Sequence, residues 1–343
     1  MGQEIRDPEG KLLAILRTLN GSSQPLGSFA ISSRLKLEGL DINERTVRYH
    51  LKLADARGFT RSFGRGGRMI TDEGRQEIKQ ARAVYHIGNV VDKLKLLAFQ
   101  TTFDPLKLTG LLPVNTSIID KKDYRKALGI MRSAFRAGLC VSELVAVALE
   151  GEKLGTIVVP FGKIGFATVC SVAVTGVLLK AGIPTEYKFS GLLEIKNTRP
   201  VRFVAAVDYG GTSLDPSEEF IRTGITGINE AIRTGTGKVL GVFRTIPLPA
   251  KAAAEEQIAR LKSAGIGGVY ALSGSEPLFQ VPLEMNRVGM AQLNGLNPAA
   301  AAVEAGIEIE NIAGSGMLEY NQLQPASKIR IEAGEDTDLS VRE

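Results

Sequence analysis

Arg45, Arg48, Tyr49 and Lys52 follow i, i+3, i+4, i+7 spacing and so share one face of a helix. Guanidinium and ammonium groups beside an aromatic ring, all on one helical face, suit a polyanion whose phosphates take the charge and whose base edges take directed hydrogen bonds. A second basic group follows closely. Arg61, Arg65 and Arg68 surround the tip Gly64-Arg65-Gly66-Gly67, where glycine permits positive φ and a close approach to a phosphate backbone. The charge is confined to this end. Residues 1–82 hold 15 Lys+Arg against 10 Asp+Glu, while the remaining 261 residues hold 27 of each. A local excess on one module reads as a nucleic-acid footprint, whereas a uniformly basic surface would indicate only solubility.

Apolar spacing supplies the elements that position these groups. Leu12, Ile15, Leu16 and Leu19 recur at helical intervals, and Ala30, Ile31 and Leu35 mark a second short helix ended by the Gly39 segment. A third helix starts at Asn43, a good N-cap, with Glu44 in the first turn where the helix dipole favours a carboxylate. Val47, His50, Leu51 and Ala54 form its inward stripe. Gly58 ends it, and Phe59 to Phe63 and Arg68 to Thr71 read as two short strands around the glycine-rich tip. This is the pattern of a winged helix-turn-helix. Its DNA-contact candidates are Asn43, Arg45, Thr46, Arg48, Tyr49, Lys52, Arg61, Arg65 and Arg68, with His50 expected in the core.

The rest of the chain repeats itself. Lys163 to Ile183 aligns with Arg287 to Ile307 at an offset of 124 residues, and Gly110 to Leu139 aligns with Gly237 to Ile266 at 127. Gly191-Leu192-Leu193-Glu194 matches Gly316-Met317-Leu318-Glu319. Two related units, about 110–195 and 237–320, each alternate strands with helices, so an α/β regulatory domain built from two repeats is expected. The fold class is therefore α+β multidomain. Its parts are a winged helix over 1–75, a helical connector over 76–103, the duplicated domain over 104–330 and a flexible tail over 331–343.

Within the repeats, Thr168, Cys170 and Ser171 lie where a strand ends and a helix begins, and free N–H groups there can hold an anion. The matching turn carries Asn294 and Asn297, with Asn297 as an N-cap and Pro298 at the first helical position. These residues serve equally well as ordinary caps. The glycine-rich loop Asp208 to Pro216, which includes Gly211-Thr212-Ser213, carries hydroxyls and carboxylates but lacks the lysine of a P-loop, and Arg244, on the strand opening the second unit, could pair with a carboxylate.

Composition bounds the remainder. Two cysteines without C-x-x-C spacing and no run of 18 apolar residues point to a reducing cytoplasm and no membrane span. The first 20 residues lack the apolar core of a signal peptide. With two histidines and no grouping of nucleophile, base and orienting residue, an enzyme is not expected, and neither is a metal.

The chain resembles the archaeal nitrogen-regulatory repressor family (NrpR-type). The resemblance rests on Glu44 to Leu51, Ala98 to Pro105, Thr168-Val169-Cys170-Ser171, Gly191 to Ile195, Gly211 to Pro216 and Asn294 to Pro298. It implies a repressor of nitrogen fixation and assimilation genes that binds a palindromic DNA operator as a homodimer and is released by 2-oxoglutarate. That effector takes the place of a cofactor. Its expected contacts are Thr168, Cys170, Ser171, Gly191, Glu194, Gly211, Thr212, Ser213, Arg244, Asn294 and Asn297. Many members carry two regulatory domains and this chain carries one. The resemblance also implies split arrangements in which a partner regulator bears the others. Two other readings stay open on the residues alone: a metabolite-converting enzyme with an accessory winged helix, and a co-repressor scaffold.

Overall fold

The computed structural model describes residues 8–22, 24–37, 40–85, 90–210, 212–274 and 276–329. The chain divides into two compact units, with the main boundary between Val90 and Val91.

The first unit contains α1 (Pro8–Asn20), α2 (Ser28–Leu37), α3 (Glu44–Ala56), β1 (Thr60–Ser62), β2 (Arg68–Ile70) and α4 (Asp72–Tyr85). The apolar stripes meet in one core of Leu12, Ile15, Leu16, Leu19, Ile31, Leu35, Val47, Leu51 and Ala54. Asn43 caps α3, its side chain accepting from the Thr46 N–H at 2.9 Å. β1 and β2 pair antiparallel, with Thr60 opposite Ile70, and Leu26 bridges to Arg68 as a third strand position. Gly67 makes that approach possible. Its φ is +105°, and a Cβ there would collide with the Leu26 carbonyl.

The boundary and the connector differ from expectation. Ile78 of α4 is buried in the winged-helix core, so α4 belongs to the first unit. α5 (Val90–Gln100) instead packs within the second. Its Lys93 Nζ donates to the Ala313 carbonyl at 2.6 Å, and the Tyr187 hydroxyl donates to the Leu94 carbonyl at 3.3 Å. α4 is mostly polar in sequence, and of its described positions only Gly74 and Ile78 are buried, a weak signal against the strong periodicity of α1 and α3. The proposed tail over 331–343 lies outside the described residues, as do His86 and Gly39.

The first repeat runs β3 (Leu111–Asp120), α6 (Lys121–Arg136), β4 (Leu144–Ala148), the small hairpin β5 (Lys153–Leu154) and β6 (Ile157–Val158), β7 (Lys163–Val169), α7 (Val172–Lys180) and β8 (Glu186–Lys196). β9 (Arg199–Asp208), α8 (Pro216–Arg222) and α9 (Ile228–Thr234) lead to the second repeat. That repeat comprises β10 (Gly237–Pro247), α10 (Lys251–Ser263), β11 (Val269–Leu272), β12 (Arg287–Leu293), α11 (Asn297–Glu304) and β13 (Ile309–Glu319), followed by β14 (Gln324–Pro325).

The alternation of strands and helices is as expected, but two features are not. Both five-stranded sheets are antiparallel throughout, in orders β11-β12-β10-β8-β9 and β13-β3-β7-β4-β14. Each repeat also gives its last strand to the other's sheet: β8 pairs with β10, and β13 pairs with β3. The two exchanges follow the repeat offsets: Gly191 lies opposite Gly241 as its mate Gly316 lies opposite Val114. At Gly191 a Cβ would strike the Ala205 carbonyl of β9, so this glycine serves strand packing. Helices pair across the repeats as well, with α11 against α6 and α10 against α7.

His50 sits on the inward stripe of α3, as expected of a core residue, at 3 % exposure. Its Nδ1 has no hydrogen-bond partner among the described residues. Burial, with a smaller contribution from Lys11, lowers its pKa below the usual histidine value of 6.5. The neutral ring is thus the folded form, and the unfolded chain takes up the proton first. This stabilisation is complete above the unfolded pKa and is lost as pH falls through it. Melting of the first unit should drop as pH falls below about 6.5 toward the lower folded value, and His50→Leu should flatten that part of the profile. An equal drop in the variant would assign the acid sensitivity to other groups.

Candidate functional site

The basic face of α3 is laid out as its spacing requires. Val47, His50, Leu51 and Ala54 are buried, while Arg45, Arg48, Tyr49 and Lys52 are exposed, with Tyr49 at 65 %. A helix with one buried stripe and this opposite face can lie in a major groove. Asn43 spends its side chain on the cap, and Thr46 is half-buried beside it. In the wing, Arg61 is exposed with its guanidinium 5.9 Å from the Phe63 ring centroid. Arg65 stands at the tip, but its side chain lies outside what the structure describes.

Arg68 has a different position from the one expected. Its Nε donates to the Asp55 carboxylate at 2.8 Å, and the same carboxylate accepts from the Thr60 hydroxyl at 2.5 Å. Asp55 on α3 therefore ties both wing strands to the recognition helix. The sequence does not show this, because the wing folds back onto a residue 13 positions earlier.

In the second unit, Arg244 of β10 is 1 % exposed. Its terminal nitrogens donate to the Ser171 hydroxyl at 2.9 Å and to the Gln292 side-chain oxygen at 2.5 Å. The guanidinium carbon lies 5.2 Å from the centroid of the Tyr187 ring. Its Nε and the Gln292 amide nitrogen are buried without partners among the described residues. Among the described residues no ion pair includes Arg244, although the buried Asp215 lies close enough to act on the same Cys170 and Tyr209 as Arg244 does. Ser171 precedes α7 with helical φ and ψ and makes no side-chain cap, which leaves its hydroxyl to meet Arg244. Strand exchange produces the meeting: Ser171 and Tyr187 come from the first repeat, Arg244 and Gln292 from the second.

Titratable neighbours respond to burial. The Tyr187 hydroxyl is pushed up to about 12, with Arg244 pulling the other way. Burial also raises the Cys170 thiol, the Tyr209 hydroxyl and the Asp215 carboxyl, and Arg244 opposes the first two of these shifts. A polar chain lies close by. Asn294 donates to the Ser217 hydroxyl at 2.7 Å, and that hydroxyl meets Ser190 at 2.9 Å. A carboxylate set against Arg244 would meet a fixed positive charge in a water-poor setting.

Other candidates are spent elsewhere. Asn297 is the first residue of α11 and Leu296 its N-cap, so the expected Asn297 cap is corrected; the Asn297 side chain instead closes both backbone groups of Leu240 on β10. Glu194 lies on the sheet in ion pairs with Arg202 and Lys196. Thr168 accepts from Asn115 at 3.4 Å, and the Thr212 hydroxyl donates within its own loop to Leu214. Ser213 is half-buried in that loop, and Gly211 lies outside the described residues. Sequence reasoning missed Gln292, Tyr187, Ser190 and Ser217, and reached Tyr209 and Asp215 only as members of the Asp208 to Pro216 loop. A polar residue inside the apolar run of β12 was the available signal for Gln292.

Asp55→Ala would strand two partly buried donors and is expected to cost about 1–3 kcal/mol of first-unit stability, read as a lower urea midpoint. Arg68→Ala should act the same way. Weakened DNA binding by Arg68→Ala at unchanged stability would instead make it a phosphate contact.

Among the described residues, no helix is long and apolar enough to cross a membrane, and no group of three or more His, Cys, Asp or Glu is placed to hold a metal ion. Residues 13–78 match the winged-helix domain described for ribonuclease R, and residues 87–325 match NrpR regulatory domains NRD1 and 2. The global nitrogen regulator NrpRI of Methanosarcina mazei is 38% identical over 323 residues, spanning 93% of this chain and 99% of that protein. The global nitrogen regulator NrpR of Methanococcus maripaludis is 28% identical over 319 residues, covering 93% of this chain but 56% of that longer protein. The crystal structure of a nitrogen repressor-like protein from Methanococcus jannaschii matches with a TM-score of 0.59 at 26% identity, over 70% of this chain and 99% of that one. A match to the regulatory domains over most of the chain, together with end-to-end identity to a regulator, shows that this chain belongs to the NrpR family of nitrogen regulators.

Proposed function

We propose that this chain is a DNA-binding repressor of nitrogen-metabolism genes that acts as a homodimer on a palindromic operator and is released by 2-oxoglutarate. The observation that carries the DNA half is the exposed Arg45, Arg48, Tyr49 and Lys52 face of a capped α3, beside a wing bearing Arg61 and Arg65. The observation that carries the effector half is a buried Arg244 with an unpartnered Nε and no ion-pair partner among the described residues. A dicarboxylate supplies that missing charge, and Ser171, Gln292 and the start of α7 offer further polar groups. Tyr187 shares the site and is hydrogen-bonded to Leu94 of α5, the helix that follows the winged helix in the chain. A ligand that displaces Tyr187 therefore acts on α5. Release requires that 2-oxoglutarate bind the DNA-free form more tightly than the bound form.

The second reading is a regulator that relies on a partner protein carrying further regulatory domains. It is favoured by the longer Methanococcus maripaludis relative, of which this chain covers only 56%. A footprint on genomic DNA tests both readings. The account expects protected palindromes upstream of nitrogen-assimilation genes that open when 2-oxoglutarate is added to the pure protein. Palindromes that stay protected until a second protein is supplied would establish the second reading, and an absence of specific protection would contradict repression by this chain.

A further inference from the structure

We propose that Glu44 reads a base: with Arg48 it forms one unit that selects a cytosine amino group beside a guanine in the major groove. The inference rests on the DNA-binding reading above and names a specificity residue within it.

Glu44 is the first residue of α3, and the N-terminal residues of a recognition helix are the ones that reach base edges. Its two carboxylate oxygens are used unequally. Oε1 accepts from the Arg48 guanidinium at 2.5 Å and from the Ser28 hydroxyl of α2 at 3.0 Å. Oε2 accepts from no group among the described residues, and the Glu44 side chain is 38 % exposed. Arg48 spends one nitrogen on Glu44, is 62 % exposed, and offers its other N–H groups to the outside. Hydrogen bonds from Arg48 and then Ser28 hold the Glu44 carboxyl below its ordinary range, so it is a pure acceptor at neutral pH.

A carboxylate carried into a groove walled by phosphates is repelled unless it meets a donor. In the major groove the cytosine N4 amino group is the donor that acidic side chains accept from, and guanine O6 and N7 are the acceptors that arginine takes. A Glu–Arg pair one turn apart presents one acceptor and one set of donors side by side, which matches a cytosine next to a guanine. Ser28 reaches from α2 to fix the Glu44 rotamer before DNA arrives, so little side-chain freedom remains to be lost on binding.

The test is selection from a random-sequence duplex pool by the full chain, followed by affinities for the selected site with each base pair exchanged. The wild-type chain should select a cytosine beside a guanine. Exchanging that C·G pair for T·A should weaken binding by about 5- to 150-fold. Glu44→Ala should bind both duplexes about equally while keeping the preferences at other positions and the salt dependence. Glu44→Gln keeps the size and the acceptor for Ser28, and should shift the preference at that position toward adenine, the base an amide side chain pairs with. The variants' melting curves accompany each affinity. Uniform weakening on all duplexes, with discrimination intact in both variants, would make Glu44 a brace of α3 and overturn the proposal. Sequence-independent binding by the wild-type chain would overturn it as well, while leaving DNA binding in place. Failure of the wild-type chain to bind any duplex would bring down the DNA-binding reading itself.

Discussion

β8 leaves the first repeat and hydrogen-bonds along β10 of the second, and β13 returns the exchange beside β3. Neither sheet can satisfy its inner backbone groups without the other repeat, so the two fold as one body. The exchange also decides what meets at the centre. It carries Ser171 and Tyr187 from one repeat to Arg244 and Gln292 of the other. An arginine cannot shed its proton, and burying its charge costs several kcal/mol unless that charge is matched. Neutral oxygens and one aromatic face meet only part of that demand, and Nε is left unpartnered. This buried arginine is the feature on which the effector reading rests.

The two positions related by the internal repeat are unequal. By the offset of 127, Arg244 corresponds to Ser117, whose hydroxyl donates to Asn311 at 2.7 Å, and the neighbouring Asn115 both donates to Thr168 and accepts from the Gly314 N–H. That side is closed by its own side chains. The scaffold therefore has two matching places, one closed by Ser117, Asn311 and Asn115 and the other holding Arg244 with no ion pair among the described residues.

Much of the first unit was legible in the sequence because its signals are local. The spacing of Val47, His50, Leu51 and Ala54 fixes the inward face of α3, Asn43 fixes its start, and the glycines around Arg65 fix the wing. The Arg68–Asp55 tie was not legible, since it depends on the angle at which the wing returns. In the second unit the repeat offsets located the strands and helices. An offset does not say which sheet a strand joins, so the exchange of β8 and β13 was invisible, and with it the meeting of Arg244 with Tyr187 and Gln292. Asn297 and Glu194 were reasonable candidates by residue type. Local geometry assigns one to the β10 backbone and the other to surface ion pairs.

The central claim is that Arg244 is held unmatched for an incoming carboxylate, and calorimetric titration of 2-oxoglutarate into the wild-type chain and Arg244→Met tests it directly. Methionine keeps much of the side-chain volume and removes the charge. The account predicts one ligand per wild-type chain and at least about tenfold weaker binding in the variant. In the ligand-free variant, removing the buried charge is stabilising, while the Gln292 oxygen and Ser171 hydroxyl left without their donor cost about 1–3 kcal/mol, so the two proteins should melt close together. Equal 2-oxoglutarate affinity in the two proteins, or a large loss of stability in the ligand-free variant, would show that Arg244 serves the fold and would contradict the account.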